Sequence, residues 1–267
     1  MHLNNRLSHY FLIAIALIIG SYPFFVDGFP KGQDWSLELI RVAEYKNSLA
    51  NNQFPPFWAE NLYGGRGSPI FLYYAPLFLF ISSIFTFVTN SIVISSILTL
   101  TLLTLIAAIG MYLLMTHLFG NKSFISTSAS RVSIYFFILN PYLIGDKFLR
   151  TSTAEYTALC LTPLTIYGLL LIRKSPQLGS LLLSIGFALV IISHNLTALT
   201  VAVSLMIISL IEYSGKEKLI YWKYIIGAVI LGLTLSSFFW LPALYYKPLI
   251  QTEQLLQGNF DFHGNFP

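Results

Sequence analysis

Ile92-Val93-Ile94-Ser95-Ser96-Ile97-Leu98-Thr99-Leu100-Thr101-Leu102-Leu103-Thr104-Leu105-Ile106-Ala107-Ala108-Ile109 holds no charged side chain, and neither does any position from Pro69 to Thr116. At 1.5 Å per helical residue, the apolar run to Leu118 is about 40 Å long, more than the ~30 Å hydrocarbon core of a bilayer. Outward from it, further apolar segments occupy 10–26, 69–88, 132–145, 155–172, 179–192, 196–211 and 223–241. In lipid every backbone polar group must be satisfied internally, and runs of this length do so as helices. The expected fold is therefore all-α: a polytopic transmembrane helix bundle of about seven to eight membrane segments, forming one transmembrane domain over 1–267.

Composition agrees. The chain is 55% hydrophobic and 10% charged with mean hydropathy +0.70, against about 25% charged residues in soluble domains. The 16 tyrosines and 22 phenylalanines suit helices with aromatic belts at the interfaces. The lone cysteine, Cys160, excludes an internal disulfide and a cysteine zinc cluster. The five histidines form no HExxH pattern, so no metal site is read from the residues. A net charge of +4 comes without a basic run, which excludes nucleic acid as a partner and leaves membrane lipids. Segment 10–26 is long for a signal peptide and lacks a small-x-small cleavage site, so it is read as an uncleaved first span.

Basic residues set the sidedness. If all eight segments cross, four Lys/Arg lie inside and seven outside, the long first loop set aside. If 69–88, with Pro69 and Pro76, enters and returns, eight lie inside and three outside. Only the second arrangement obeys the positive-inside rule. It places the first loop, 27–68, on the outer face of an integral protein of the cytoplasmic membrane.

That loop holds five of the eleven acidic residues. Asp34, Glu38, Arg41 and Tyr45 follow i, i+4, i+7, i+11 spacing, one helical face, beside an apolar stripe of Trp35, Leu39, Val42 and Leu49. The pattern predicts an amphipathic juxtamembrane helix with its stripe in the lipid interface. A carboxylate able to accept a proton, near a cation able to hold an anion, is an acid–base pair. The same spacing also describes a solvated helix with an ordinary ion pair. Pro55-Pro56-Phe57-Trp58 ends the helix, and Gly64-Gly65-Arg66-Gly67-Ser68-Pro69 reads as a flexible turn.

Two further groups fall at the same face. Arg150 and Glu155 flank Thr151-Ser152-Thr153-Ala154 at the mouth of a span. They either snorkel and pair, or Arg150 grips a lipid phosphate through its planar fork. Ser193-His194-Asn195 interrupts an uncharged run and must find partners, either as interhelical glue or as part of a site.

Together these residues resemble a known family. An Asp beyond the first span, Pro-Pro-x-Trp, the Gly-rich turn into Tyr73-Tyr74-Ala75-Pro76, Gly110-Met111-Tyr112-Leu113, Arg150 to Glu155, Pro163-Leu164, Ser193-His194-Asn195 and Leu241-Pro242-Ala243-Leu244 run in the order of the 6-pyruvoyl-tetrahydropterin synthase-related membrane proteins. That family is similar to the YfhO-like proteins and to the GT-C membrane glycosyltransferases. The tetrahydropterin synthase label implies no activity here, because the soluble enzyme's zinc-binding histidine triad has no counterpart. The GT-C resemblance implies sugar transfer from a polyprenyl-phosphate donor at the outer face. A first-loop carboxylate acts there as base or metal ligand; the matching position is Asp34. A His often stands where this chain has Glu38. Such proteins usually continue with further spans, so the chain is expected to be a fragment or a shortened relative.

On this resemblance the chain is a GT-C-like hexosyltransferase of the cell envelope. Asp34 and Glu38 are the catalytic candidates, and Arg41, Arg150, Glu155, His194 and Asn195 the substrate-binding ones. A divalent metal ion is the one cofactor in view, with no organic cofactor evident. A non-catalytic assembly subunit of the same fold and a flippase of lipid-linked sugar are the alternatives.

Overall fold

The computed structural model describes residues 14–15, 18–24, 26, 28–120 and 124–250. Much of the 10–26 span, Asp27 and everything after Ile250 lie outside the described residues. Among those described, helix is the rule; the only extended pairing is a single antiparallel bridge, Ala59 with Ser68. The principal helices are α1 (Trp35–Ala50), α2 (Leu77–Thr89), α3 (Ile92–Phe119), α4 (Phe124–Ile138), α5 (Thr153–Leu171), α6 (Pro176–Ile191), α7 (Asn195–Glu212), α8 (Trp222–Leu235) and α9 (Ser237–Tyr245). Four stretches are long and apolar enough to cross a membrane: α3, α5, α7 and Lys218–Leu235, which contains α8. The all-α membrane bundle expected from the sequence is what forms.

Contacts give the helix directions. Thr104 of α3 meets Tyr156 of α5, and Gly110 meets Leu164 farther along, so these two run parallel. Gly168, Gly179 and Gly186 bring α5 and α6 together antiparallel, with Leu183, Ile172 and Thr165 opposite them. Added Cβ atoms would collide there, as expected where small residues let membrane helices approach closely. Ser180 and Gly232 align α6 with α8, parallel to each other. The starts of α3, α5 and α7 and the ends of α6 and α8 thus share one end of the bundle.

The 69–88 segment does not form one span. A single turn, Ile70–Tyr73, is followed by extended Tyr74 and then by α2. With 13 residues α2 is about 20 Å long, short of the hydrocarbon thickness. It lies against the first part of α3, the Ser82 hydroxyl donating to Thr99 at 2.9 Å. Its first amide, Leu77, donates to the carbonyl of Ile192, which fixes α2 to the end of α6.

Helix α1 packs beside α2, but in a different rotation from the expected one. Glu38, Val42, Tyr45 and Ser48 are buried, while Trp35, Leu37 and Ile40 are exposed. Val42 and Tyr45 enter a core with Phe71, Phe78 and Leu100. The polar face turns inward because partners wait for it there.

Candidate functional site

The first loop docks by its backbone. Gln33 donates its amide to Leu149 and Asp34 to Arg150, both at 3.0 Å. Gly32 makes this approach possible, since a Cβ there would collide with the Thr151 hydroxyl and the Leu149 carbonyl. The receiving segment, Gly145–Arg150, is a π-helical turn that ends on Thr151 in a left-handed conformation, φ 56. A β-branched residue is a genuine outlier there.

Below the seam sits Glu38, 1% exposed. It accepts from Arg41 Nη1 at 2.6 Å, from the Thr153 hydroxyl at 2.5 Å and from the Tyr74 hydroxyl. Arg41 also stacks over the Tyr74 ring, 4.1 Å from its centroid. Glu38 and Arg41 therefore clamp α1 to the start of α5 and to the break before α2. Glu44 does similar work farther along α1, accepting from the amide and side chain of Asn61.

Asp34, by contrast, is exposed, with its backbone on Arg150. Arg150 is half-exposed and uses one nitrogen, Nη1, to reach Asp146 at 2.6 Å, Glu155 at 3.0 Å and the Tyr142 hydroxyl at 3.4 Å. Nη2 and Nε have no protein partner among the described residues. Tyr142 in turn donates to Glu155 at 2.5 Å. Burial raises the Asp146 carboxyl to about 6, Glu155 adding to the effect and Arg150 opposing it. Asp146 Oδ2 is buried without a partner.

Next to Asp146, Lys147 is also buried. Its ammonium donates to the Gly20 carbonyl at 2.7 Å and to Thr104 at 3.1 Å, among the rings of Phe24, Phe148 and Tyr156. It ties the first helical segment to the π-turn, so it is a tether and not an open cation.

His194 caps α7: its Nδ1 lies 2.8 Å from the Thr197 hydroxyl and accepts from the Thr197 amide. Burial lowers its basicity, with Glu155 raising it and Arg150 lowering it further. Asn195 follows, exposed. The structure thus brings Asp34, Arg150, Glu155 and His194 to one end of the bundle, with Glu38 and Arg41 as the clamp beneath. Among the described residues no three His, Cys, Asp or Glu gather closely enough to hold a metal ion.

Sequence reading passed over Tyr74, Thr153, Tyr142 and Asp146 as members of this cluster. Asp146 had a signal, its i, i+4 relation to Arg150. Tyr74 and Thr153 had none, because only the tertiary fold brings them to Glu38.

Beside the clamp lies a cleft of about 770 Å³ between the first loop and the segment after α9. Its walls include Trp58, Tyr63, Tyr73, Tyr74 and Tyr246. Tyr73 closes one side by donating its hydroxyl to the Tyr246 carbonyl at 3.1 Å.

No curated protein and no solved structure matches the chain. A family model does, that of the 6-pyruvoyl-tetrahydropterin synthase related domain, a membrane protein family, over residues 71–254. Arg150, Glu155, His194 and Asn195 fall within the match; Asp34, Glu38 and Arg41 precede it. With about two thirds of its length matched, and with the helical bundle to go with it, this chain belongs to the 6-pyruvoyl-tetrahydropterin synthase-related family of membrane proteins.

Proposed function

We propose that the chain is a membrane glycosyltransferase of GT-C type, moving a sugar from a polyprenyl-phosphate donor to a hydroxyl acceptor at the outer face. The observation that carries the reading is the Asp34–Arg150 seam: the amide of Asp34, whose side chain is exposed, pairs with the carbonyl of Arg150, whose half-exposed guanidinium keeps unengaged donors. The acceptor oxygen attacks the anomeric carbon and gives its proton to Asp34. The bond from that carbon to the phosphate oxygen breaks, its electron pair leaving with the lipid phosphate, which Arg150 holds. Positioned acid–base catalysis of this kind contributes about 10²- to 10⁴-fold, and fixed positive charge on the departing phosphate stabilises the transition state further.

Glu38 and Arg41 act in this scheme as positioning residues, since Glu38 is sealed from solvent by its three partners. Asn195 and His194, at the start of α7 on the same end of the bundle, are assigned to sugar hydroxyls in this scheme. The outer-face assignment is supported by Arg173, Lys174 and Lys223, which sit at the opposite end of the bundle, where positive-inside asymmetry expects them.

A second reading, a non-catalytic subunit of the same fold, is favoured by one observation. Arg150 already faces two carboxylates, Asp146 and Glu155, so its charge is more than offset within the protein. The flippase reading draws less support, because many hydroxyls along the helices, such as Thr99 and Thr165, return to their own helix carbonyls.

Asp34→Asn keeps the shape and removes the proton acceptor. With a panel of radiolabelled polyprenyl-phosphate sugars, transfer should fall about 10²-fold or more while expression holds. Full transfer by both Asp34→Asn and Glu38→Gln would overturn the assignment.

A further inference from the structure

The cleft beside the clamp differs in kind from the apolar groove at the helix packing of α5 to α8. The groove among α5 to α8 is lined by Leu169, Leu183, Phe187, Leu205 and Ile225, and it suits an acyl chain. The cleft sets five aromatic rings with polar handles among aliphatic side chains such as Ile70, Leu72 and Leu249, and among the described residues none with a formal charge lines it. Its size falls within the ~300–1,000 Å³ of typical ligand sites.

We infer that this cleft binds a neutral oligosaccharide. Pyranose rings present flat C–H faces edged with hydroxyls. Aromatic side chains that join an apolar body to a polar tip answer both features, and they are used where one side is dry and the other wet. A charged phosphate would find no counter-ion among the described residues of these walls. A prenyl chain would leave the hydroxyls of Tyr63 and Tyr246 and the indole N–H of Trp58 unsatisfied wherever it excluded water.

The backbone supplies an independent observation. Tyr63 is held at φ 53, ψ 44, a left-handed conformation that strains an aromatic residue, and it is 77% exposed. The loop that holds it is built for the purpose. Ala59 and Ser68 pair at 2.8 and 2.9 Å, Gly67 donates to the Leu62 carbonyl, and Gly67 lies so close to the Trp58 indole that a Cβ would collide with it. Strain kept at an exposed ring is characteristic of ligand-binding positions. At the cleft floor, Tyr74 donates to Glu38 beneath the Asp34–Arg150 seam. An oligosaccharide seated there would bring a hydroxyl toward Asp34, which makes it the acceptor; that role rests on the transfer reading above, whereas the binding does not.

The test uses the full chain in detergent and a panel of neutral trisaccharides built from glucose, mannose, galactose or N-acetylglucosamine. Saturation-transfer NMR and Trp fluorescence report binding, with geranylgeraniol as an apolar competitor. At least one trisaccharide should bind, and geranylgeraniol should not displace it. Tyr63→Gly removes the ring and relieves the strained backbone. It should weaken binding at least tenfold while raising or preserving the melting temperature, whereas Tyr63→Phe should retain most of the binding. Binding is read without any transfer, so a failed transferase assay leaves this result standing on its own. No binding by any trisaccharide, displacement by geranylgeraniol, or unchanged affinity in Tyr63→Gly would each overturn the inference.

Discussion

The Thr153 hydroxyl donates to the Glu38 carboxylate at 2.5 Å, joining α1 to the first residue of α5 across 115 positions of sequence. With Arg41 and Tyr74 on the same carboxylate, this contact makes that end of the bundle one unit.

Glu38→Ala should therefore act on stability before chemistry. Removing one partner of a buried pair leaves the other uncompensated and costs about 3 kcal/mol or more. The apparent melting temperature in detergent should fall clearly, and Thr153→Val should reproduce part of the loss. An unchanged melting temperature for Glu38→Ala would mean that the clamp does not hold the loop.

Arg150→Lys separates anchoring from phosphate binding. Lysine keeps the charge and can still reach one carboxylate, but it lacks the planar fork. Donor use should weaken by about 1–3 kcal/mol, the scale of a charged hydrogen bond, with solubilised stability little changed. Steady-state kinetics against donor concentration reads this directly; equal activity would leave Arg150 as a tie between Asp146 and Glu155.

Asp146 should give the fold a pH response. Its folded pKa, about 6, lies above the ordinary 3.8, so the folded chain holds this proton more tightly than the unfolded one. The stabilisation from the protonated form is fully present below about pH 3.8 and is lost as pH rises through 6. Melting temperatures from pH 4.5 to 7.5 should decline through that window, and Asp146→Asn should flatten the decline. A wild-type curve already matching that of Asp146→Asn would remove Asp146 as its cause.

Sidedness is open to labelling. After Cys160→Ala, single cysteines at positions 34 and 245 should react together with an impermeant maleimide added outside intact cells, and one at position 174 should not. Labelling at 34 without 245 would break the shared end that the Tyr73–Tyr246 hydrogen bond implies.

The long spans α3, α5 and α7 were legible because lipid imposes length and apolarity on them one at a time. The break in 69–88 had its signal in Pro69 and Pro76. The rotation of α1 was not. Periodicity put Asp34, Glu38, Arg41 and Tyr45 on one face and assigned the other face to lipid. It could not say that Tyr74 and Thr153 would satisfy Glu38 inside, since those positions are remote in sequence. His194 was legible as a polar interruption, but its capping bond to Thr197 depends on where α7 starts.

The pairing of Gln33 with Leu149 and of Asp34 with Arg150 uses main-chain atoms alone. Docking of the first loop is thus indifferent to the side chains at these four positions, while Gly32 and the buried clamp carry the constraint. Mutational drift can explore chemistry at the surface of this seam without loosening the joint. A protein jointed this way can change the side chains around its seam while its architecture stays fixed.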